Sequence, residues 1–194
     1  MKTAVRALIA TVILVVLTGV VYPLVMTAFA QVALRHDADG SLVQRNGADV
    51  GSSLIGQDWK GPEWFYGRPS AIDYDASTSS GTNLGPTSQT LSDDVAKRIS
   101  KILKLEGTYA PGLTASQIPV DLLTSSASGL DPDISPAAAM FQAPRIAAVR
   151  HLTLQQVQQL IDDHTTGRTL GFLGQPYINV LDLNLALDAQ APSP

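Results

Sequence analysis

Three histidines, seventeen acidic side chains and several serine-rich stretches are the raw material for chemistry in this chain. Their spacing does not assemble it. His36, His151 and His164 stand apart, and none lies four residues from another histidine or beside a glutamate. A zinc site needs such ligand spacing, so these read as surface histidines. Asp73-Tyr-Asp75-Ala-Ser77 opens like a calcium loop. Thr78 then occupies the sixth position, where glycine makes the turn, and Leu84 the twelfth, where a bidentate glutamate belongs. Asp131-Pro-Asp133 reads as a turn and helix lead-in rather than a carboxylate pair for acid–base work. The serines of 77–80 and 125–128 have no Gly-x-Ser-x-Gly elbow and no Ser-x-x-Lys at a helix start, and read as solvated loop residues. The Gly81/Gly85 loop could present backbone N–H groups to an anion, but lacks the Gly-Lys-Ser/Thr ending of a phosphate loop. With no cysteine there is no disulfide, thiolate ligand or cysteine nucleophile.

The elements that would position these residues can be read from local patterns. Residues 40–51 spell a β-hairpin around Asn46-Gly47, because both central residues of its tight turn need positive φ. Leu54 to Gln57 could extend that sheet. Residues 58–89 read as a long loop, ordered at its start by Trp59, Trp64, Phe65 and Tyr66. Ser92 is expected to cap a helix through Lys104, with Val95, Ile99, Ile102 and Leu103 on one face. Ser135 caps a helix that opens on Pro136 and that Pro144 should kink or split near Ala143. Thr153 and Gln156 form a capping box for a helix that Gly167 stops. Tyr177 to Leu187 fits both periods, and is expected as a short strand followed by a helix.

Ahead of all this lies an uncharged stretch from Ala7 to Leu34. About 20 apolar residues suffice to cross a bilayer. Lys2 and Arg6 precede it, and only Arg35 follows closely, so the positive-inside bias puts the N-terminus in the cytoplasm and the rest outside. Ala28-Phe29-Ala30 has the form of a signal cleavage site, yet the stretch far exceeds the apolar core of a signal peptide, and an uncleaved anchor is expected. Pro23 lies within it and denies a donor to the carbonyl of Gly19. A kinked span docked against partner helices through Thr18, Gly19, Tyr22 and Pro23 accounts for that feature. The fold expectation is therefore a single N-terminal transmembrane helix plus one mixed α+β extracytoplasmic domain. Residues 1–6 form the cytoplasmic N-terminus, 7–34 the span and 35–194 the outer domain. That domain carries 11 basic and 17 acidic side chains, a net of −6, which argues against nucleic acid and against an anionic lipid surface.

Four segments in order resemble a known family. They are Thr18 to Gln31; Leu54 to Gln57 with Tyr66 to Ser70 and Ser80 to Thr87; Asp121 to Pro136 with Gln142 to Arg150; and Leu170 to Asp188. Together they resemble the C subunits of Kdp potassium-transporting ATPases. The resemblance implies an accessory, non-catalytic subunit in the cell (inner) membrane. Its partners would be a potassium-selective channel-like subunit and an ATP-hydrolysing P-type subunit, with membrane lipid around the span. ATP and potassium would be handled by those partners, with no cofactor on this chain alone. Members of the family are described as catalytic chaperones that raise the pump's affinity for ATP. The chain has neither a selectivity-filter repeat nor an Asp-Lys-Thr-Gly phosphorylation motif. Arg68, Asn83, Gly85 and Asp131 are the candidates for interactions of the outer domain. Two other classes compete: an anchored enzyme using Ser70, Asn83 or Asp131, and a binding protein that holds a small ligand in the 76–89 loop.

Overall fold

A long, uncharged and largely apolar run leaves the backbone to satisfy its own hydrogen bonds, and the run coils accordingly. The computed structural model describes residues 1–192. Its first 33 residues form one apolar rod, long and apolar enough to cross a membrane. The rod is made of α1 (Lys2–Val16), a π turn (Leu17–Val21) and α2 (Tyr22–Ala33). It starts at Lys2, five residues before the uncharged stretch, since a lysine and an arginine extend a helix as readily as alanine's neighbours do. Pro23 sits in the first turn of α2. The discontinuity expected there takes the form of the π turn, in which Tyr22 N–H reaches back to the Leu17 carbonyl. The wider turn eases the proline ring past the turn before it. Thr18 Oγ1 donates to the Leu14 carbonyl at 2.8 Å.

Leu34 leaves helical geometry, and a single turn, α3 (Arg35–Ala38), follows. The hairpin is β1 (Leu42–Arg45) and β2 (Ala48–Ser52), antiparallel with a bulge at Val43/Gln44. Asn46 and Gly47 have φ of +52° and +80°, the geometry that the Asn-Gly signal demands. Leu54 to Gln57 does not continue this sheet; Gly56 N–H donates instead to the Leu130 carbonyl at 2.8 Å.

From Ser53 onward the chain forms its own compact unit. Its centre is α5 (Pro136–Val149), capped by Ser135 Oγ and buried on nearly every side through Ala138, Ala139, Ala143, Ile146 and Ala147. Small side chains let neighbours approach from all directions. Pro144 does not split α5, which runs on to Val149. α6 (Leu154–Asp163) packs on α5, with the Thr153/Gln156 capping box formed. It ends at His164 rather than at Gly167, which has an ordinary φ. A two-residue strand, β3 (Asp133–Ile134), pairs antiparallel with β4 (Ile178–Asn179), and α7 (Val180–Gln190) follows at once. That is the strand-then-helix expectation. Asn179 switches the chain from one to the other by accepting from the N–H groups of Leu181 and Asp182.

α4 (Gln89–Glu106) starts earlier than Ser92, because Ser88 provides the cap. Ile99, Ile102 and Leu103 press on the core, and Glu106 alone is fully buried. The core joins Phe65, Ile134, Ile146, Val157, Ile161, Ile178, Leu183 and Leu187. Residues 53–88 contain no helix or strand.

Candidate functional site

A long segment without secondary structure leaves its backbone polar groups unpaired, and buried ones must find partners. Residues 62–66 find them on side chains from the helices. Asn184, fully buried on α7, accepts from Phe65 N–H at 2.9 Å and donates to Phe65 carbonyl at 3.0 Å. Gln142 on α5 does the same for Tyr66, at 2.8 and 3.2 Å. The two amides act as a substitute strand. Arg145, completely buried, donates to the carbonyls of Pro62 and Trp64 and to Gln142, lies 4.6 Å from the Tyr66 ring centre, and pairs with Glu106 at 2.8 Å. Arg150 donates to the Glu63 carbonyl, pairs with Asp188 at 3.1 Å and covers the Trp64 ring. Two buried cations, one on α5 and one at its C-terminal cap, thus tie the aromatic loop, the end of α4 and the end of α7 together.

Of the predicted outer-domain residues, Arg68 and Asp131 meet. Their ion pair is 3.0 Å long and half-buried. Asp131 also accepts from Asp133 N–H at 3.0 Å, the turn expected of Asp-Pro-Asp. Tyr74 donates its hydroxyl to the Arg68 carbonyl. Burial and the charges of Asp131 and Asp58 push that hydroxyl up to about 12, so it stays a donor. Burial and the neighbouring carboxylates of Asp131 and Asp182 push Asp133 up to about 6. Ser70 Oγ donates to the Gly129 carbonyl at 2.7 Å and accepts from Ile72 and Tyr74 N–H groups. That leaves it a hinge pin rather than a free nucleophile. Gly129, at φ +72°, needs to be glycine, since a Cβ would stand 2.8 Å from the Ser80 carbonyl.

Asn83, at φ +53°, and Gly85 lie on exposed loop, and no hydrogen bond connects them to the Arg68–Asp131 pair. Asp75 caps its own turn by accepting from Ser77 N–H at 2.9 Å. The serines are not uniformly solvated as expected: Ser126 is buried, Ser125 accepts from Arg98, and Ser80 N–H donates to the Ser128 carbonyl. In the rod, Thr18, Gly19, Tyr22 and Pro23 all lie in or beside the π turn and are exposed.

A cleft of about 910 Å³ runs between α4 and residues 57–74. Trp59, Tyr66, Tyr109 and Ile102 give it an apolar lining, and Lys101 and Lys104 stand on its rim. It does not include the 76–89 loop to which a small ligand was assigned. The sequence reading missed Arg145, Arg150 and this cleft. A signal existed for the first two: an arginine set among Ala143, Pro144, Ile146 and Ala147 can be buried only if paired.

A helix long and apolar enough to cross a membrane, followed by a small mixed helix-and-strand domain whose buried charges are engaged in holding loops together, is the class of protein that this fold defines. The family model for K+-transporting ATPase, c chain (KdpC), matches residues 4–189, rod and domain together. Relatives described as potassium-transporting ATPase KdpC subunit align along their length. One from Koribacter versatilis is 46% identical over 195 residues, covering 100% of this chain and 97% of its own. Those from Herpetosiphon aurantiacus and Burkholderia mallei are 50% and 49% identical, with 97% of each chain covered. The chain belongs to the KdpC family.

Proposed function

We propose that this chain is the accessory subunit of an ATP-driven, high-affinity potassium uptake pump, anchored by its rod with the N-terminus in the cytoplasm and the domain outside. The observation that carries the reading is the family match, which runs from residue 4 to residue 189 and so takes in both the apolar helix and the domain. A channel-like subunit selects potassium and a P-type subunit hydrolyses ATP. The rod packs against partner helices around Thr18, Gly19, Tyr22 and Pro23, where the π turn and the small Gly19 let another backbone come close. Arg68, Asn83, Gly85 and Asp131 serve the outer domain's interactions. Arg68 and Asp131 do so by fixing the 68–74 and 128–133 turns, and Asn83 and Gly85 by presenting exposed backbone.

ATP lies in the cytoplasm, on the other side of the membrane from the domain. Any effect on ATP affinity then travels through the span as a coupling free energy between pump states. Purification of the intact chain in mild detergent tests the reading. Two large membrane subunits should come with it; a chain that comes alone is an anchored enzyme or binding protein instead. On spheroplasts, external protease should degrade the domain and spare a fragment containing Lys2. A domain resistant until permeabilisation would reverse the orientation.

A further inference from the structure

The domain's β3–β4 sheet is a clasp of two residues on each side. Asp133 pairs with Asn179, and Ile134 with Ile178. Val180 N–H donates to the Pro132 carbonyl at 2.9 Å and adds one more bond. Ile134 and Ile178 are buried in the core, and α5 and α7 start just after the two strands. The clasp therefore joins the lead-in of α5 to the lead-in of α7. Asp133 is part of it, and its Oδ1 is buried without a hydrogen-bond partner. An ionised carboxylate is costly there, because a buried acceptor with no donor has lost its hydration.

The surrounding charges add to that cost. Asp131 precedes Asp133 by two residues, and Asp182 lies in the first turn of α7; both charges disfavour ionisation of Asp133. Asp121 is held close by, accepting from Ser135 N–H at 2.8 Å. Arg68 is paired with Asp131 at 3.0 Å, and among the described residues no cation pairs with Asp133. Only the side chain of Asn179 favours the ionised form. That amide is shared, since its nitrogen also donates to the Ser53 carbonyl and its oxygen caps α7.

We propose that Asp133 is a proton-operated latch: protonated, it closes the β3–β4 clasp, and ionised, it loosens the clasp and the two helix starts joined by it. Burial and the two neighbouring carboxylates push its titration up to about 6, from an ordinary value of 3.8. The folded chain then holds a proton that the unfolded chain has released. Its contribution to stability is complete below the ordinary value, is lost as the pH rises toward 6, and changes no further above that. The latch belongs to the domain itself and does not depend on the accessory-subunit reading.

Urea unfolding of the full chain in detergent, from about pH 4.5 to about pH 7.5, tests it. Asp133→Asn cannot ionise and stands for the closed latch at every pH. Subtracting its urea midpoint from that of the wild type removes what other acids contribute, Glu106 among them. The difference should fall as the pH rises to about 6.5 and then level off. Amide exchange, corrected for its intrinsic pH dependence, should read the same event locally. Protection of segments containing Ile134 and Ile178 should drop several-fold across that range in the wild type and stay level in Asp133→Asn, while Val157 in α6 keeps its protection. Asp182→Asn removes one repelling charge from an exposed position and should end the fall at a lower pH. A difference that is flat or rises with pH would overturn the latch, as would unchanged protection at Ile134 and Ile178. If Asp133→Asn does not fold, the wild-type curve against that of Asp182→Asn decides, and coincident curves would overturn it.

Discussion

Arg145 shows what a single buried charge can control. It is completely buried, and it holds a carboxylate on α4, an amide on its own helix, two loop carbonyls and an aromatic face. Removing one member of a buried pair strands the other charge, at about 3–5 kcal/mol. Domains of this size have only about 5–15 kcal/mol in total. Arg145→Ala should therefore bring the domain close to unfolding, with the urea midpoint as the measurement. Arg145→Met combined with Glu106→Leu should recover part of the loss, because no unpaired charge stays behind. The recovery should be incomplete, since the carbonyl of Trp64 still loses its donor. A single Arg145→Ala variant as stable as wild type would mean that water replaces the guanidinium, and that the loop does not depend on it.

At the scale of an element, the rod carries its own irregularity. A proline in an apolar helix could be absorbed by a kink, but here a π turn precedes it and Tyr22 N–H reaches five residues back to Leu17. Such turns frequently sit at functional positions. Pro23→Leu restores the missing donor and should favour a regular α-helix through Gly19. We expect the variant chain to insert normally, to keep the domain's melting temperature, and to recover less of the pump in mild detergent. Recovery at the wild-type level would make Pro23 a passenger. α4 offers a contrast: no apolar side chain on it is fully buried, and its C-terminal end is fastened through Glu106. It forms one wall of the cleft, and that ion pair is one of the contacts that hold the wall in place, beside the packing of Ile99, Ile102 and Leu103 on the core.

For the whole molecule, the question is whether the domain itself handles nucleotide. It has no complete phosphate loop and a net charge of −6, and of the cations lining its cleft Lys60, Lys101 and Lys104 are exposed while Arg68 is paired with Asp131 and Arg98 with Leu123 and Ser125. The fragment 35–194 should fold by itself and should bind ATP no tighter than about 1 mM by calorimetry, the range of weak, non-specific contact. Micromolar, saturable binding would sink coupling through the span and would point to the α4 cleft. Loss of the whole subunit should still abolish potassium-dependent ATP turnover by the pump.

The sequence by itself determined whatever depends on neighbours along the chain. The apolar rod follows from 28 consecutive uncharged residues, 7–34, the hairpin from Asn46-Gly47, the helix starts from Ser135 and Thr153, and the strand-to-helix switch from the pattern at 177–187. Each is a local preference strong enough to persist in the folded chain. Where local signals erred, tertiary contacts had outvoted them. Of the kink or split expected at Pro144, the split does not occur, because α5 is packed on nearly every side. Leu54 to Gln57 leaves the hairpin, because Leu130 offers a better partner to Gly56. Only the tertiary structure decided that the 62–66 loop is held by Gln142, Arg145, Arg150 and Asn184, residues 76 to 119 positions away from their partners there. A buried backbone group takes whichever donor or acceptor the packed helices deliver, and sequence spacing carries no record of that choice.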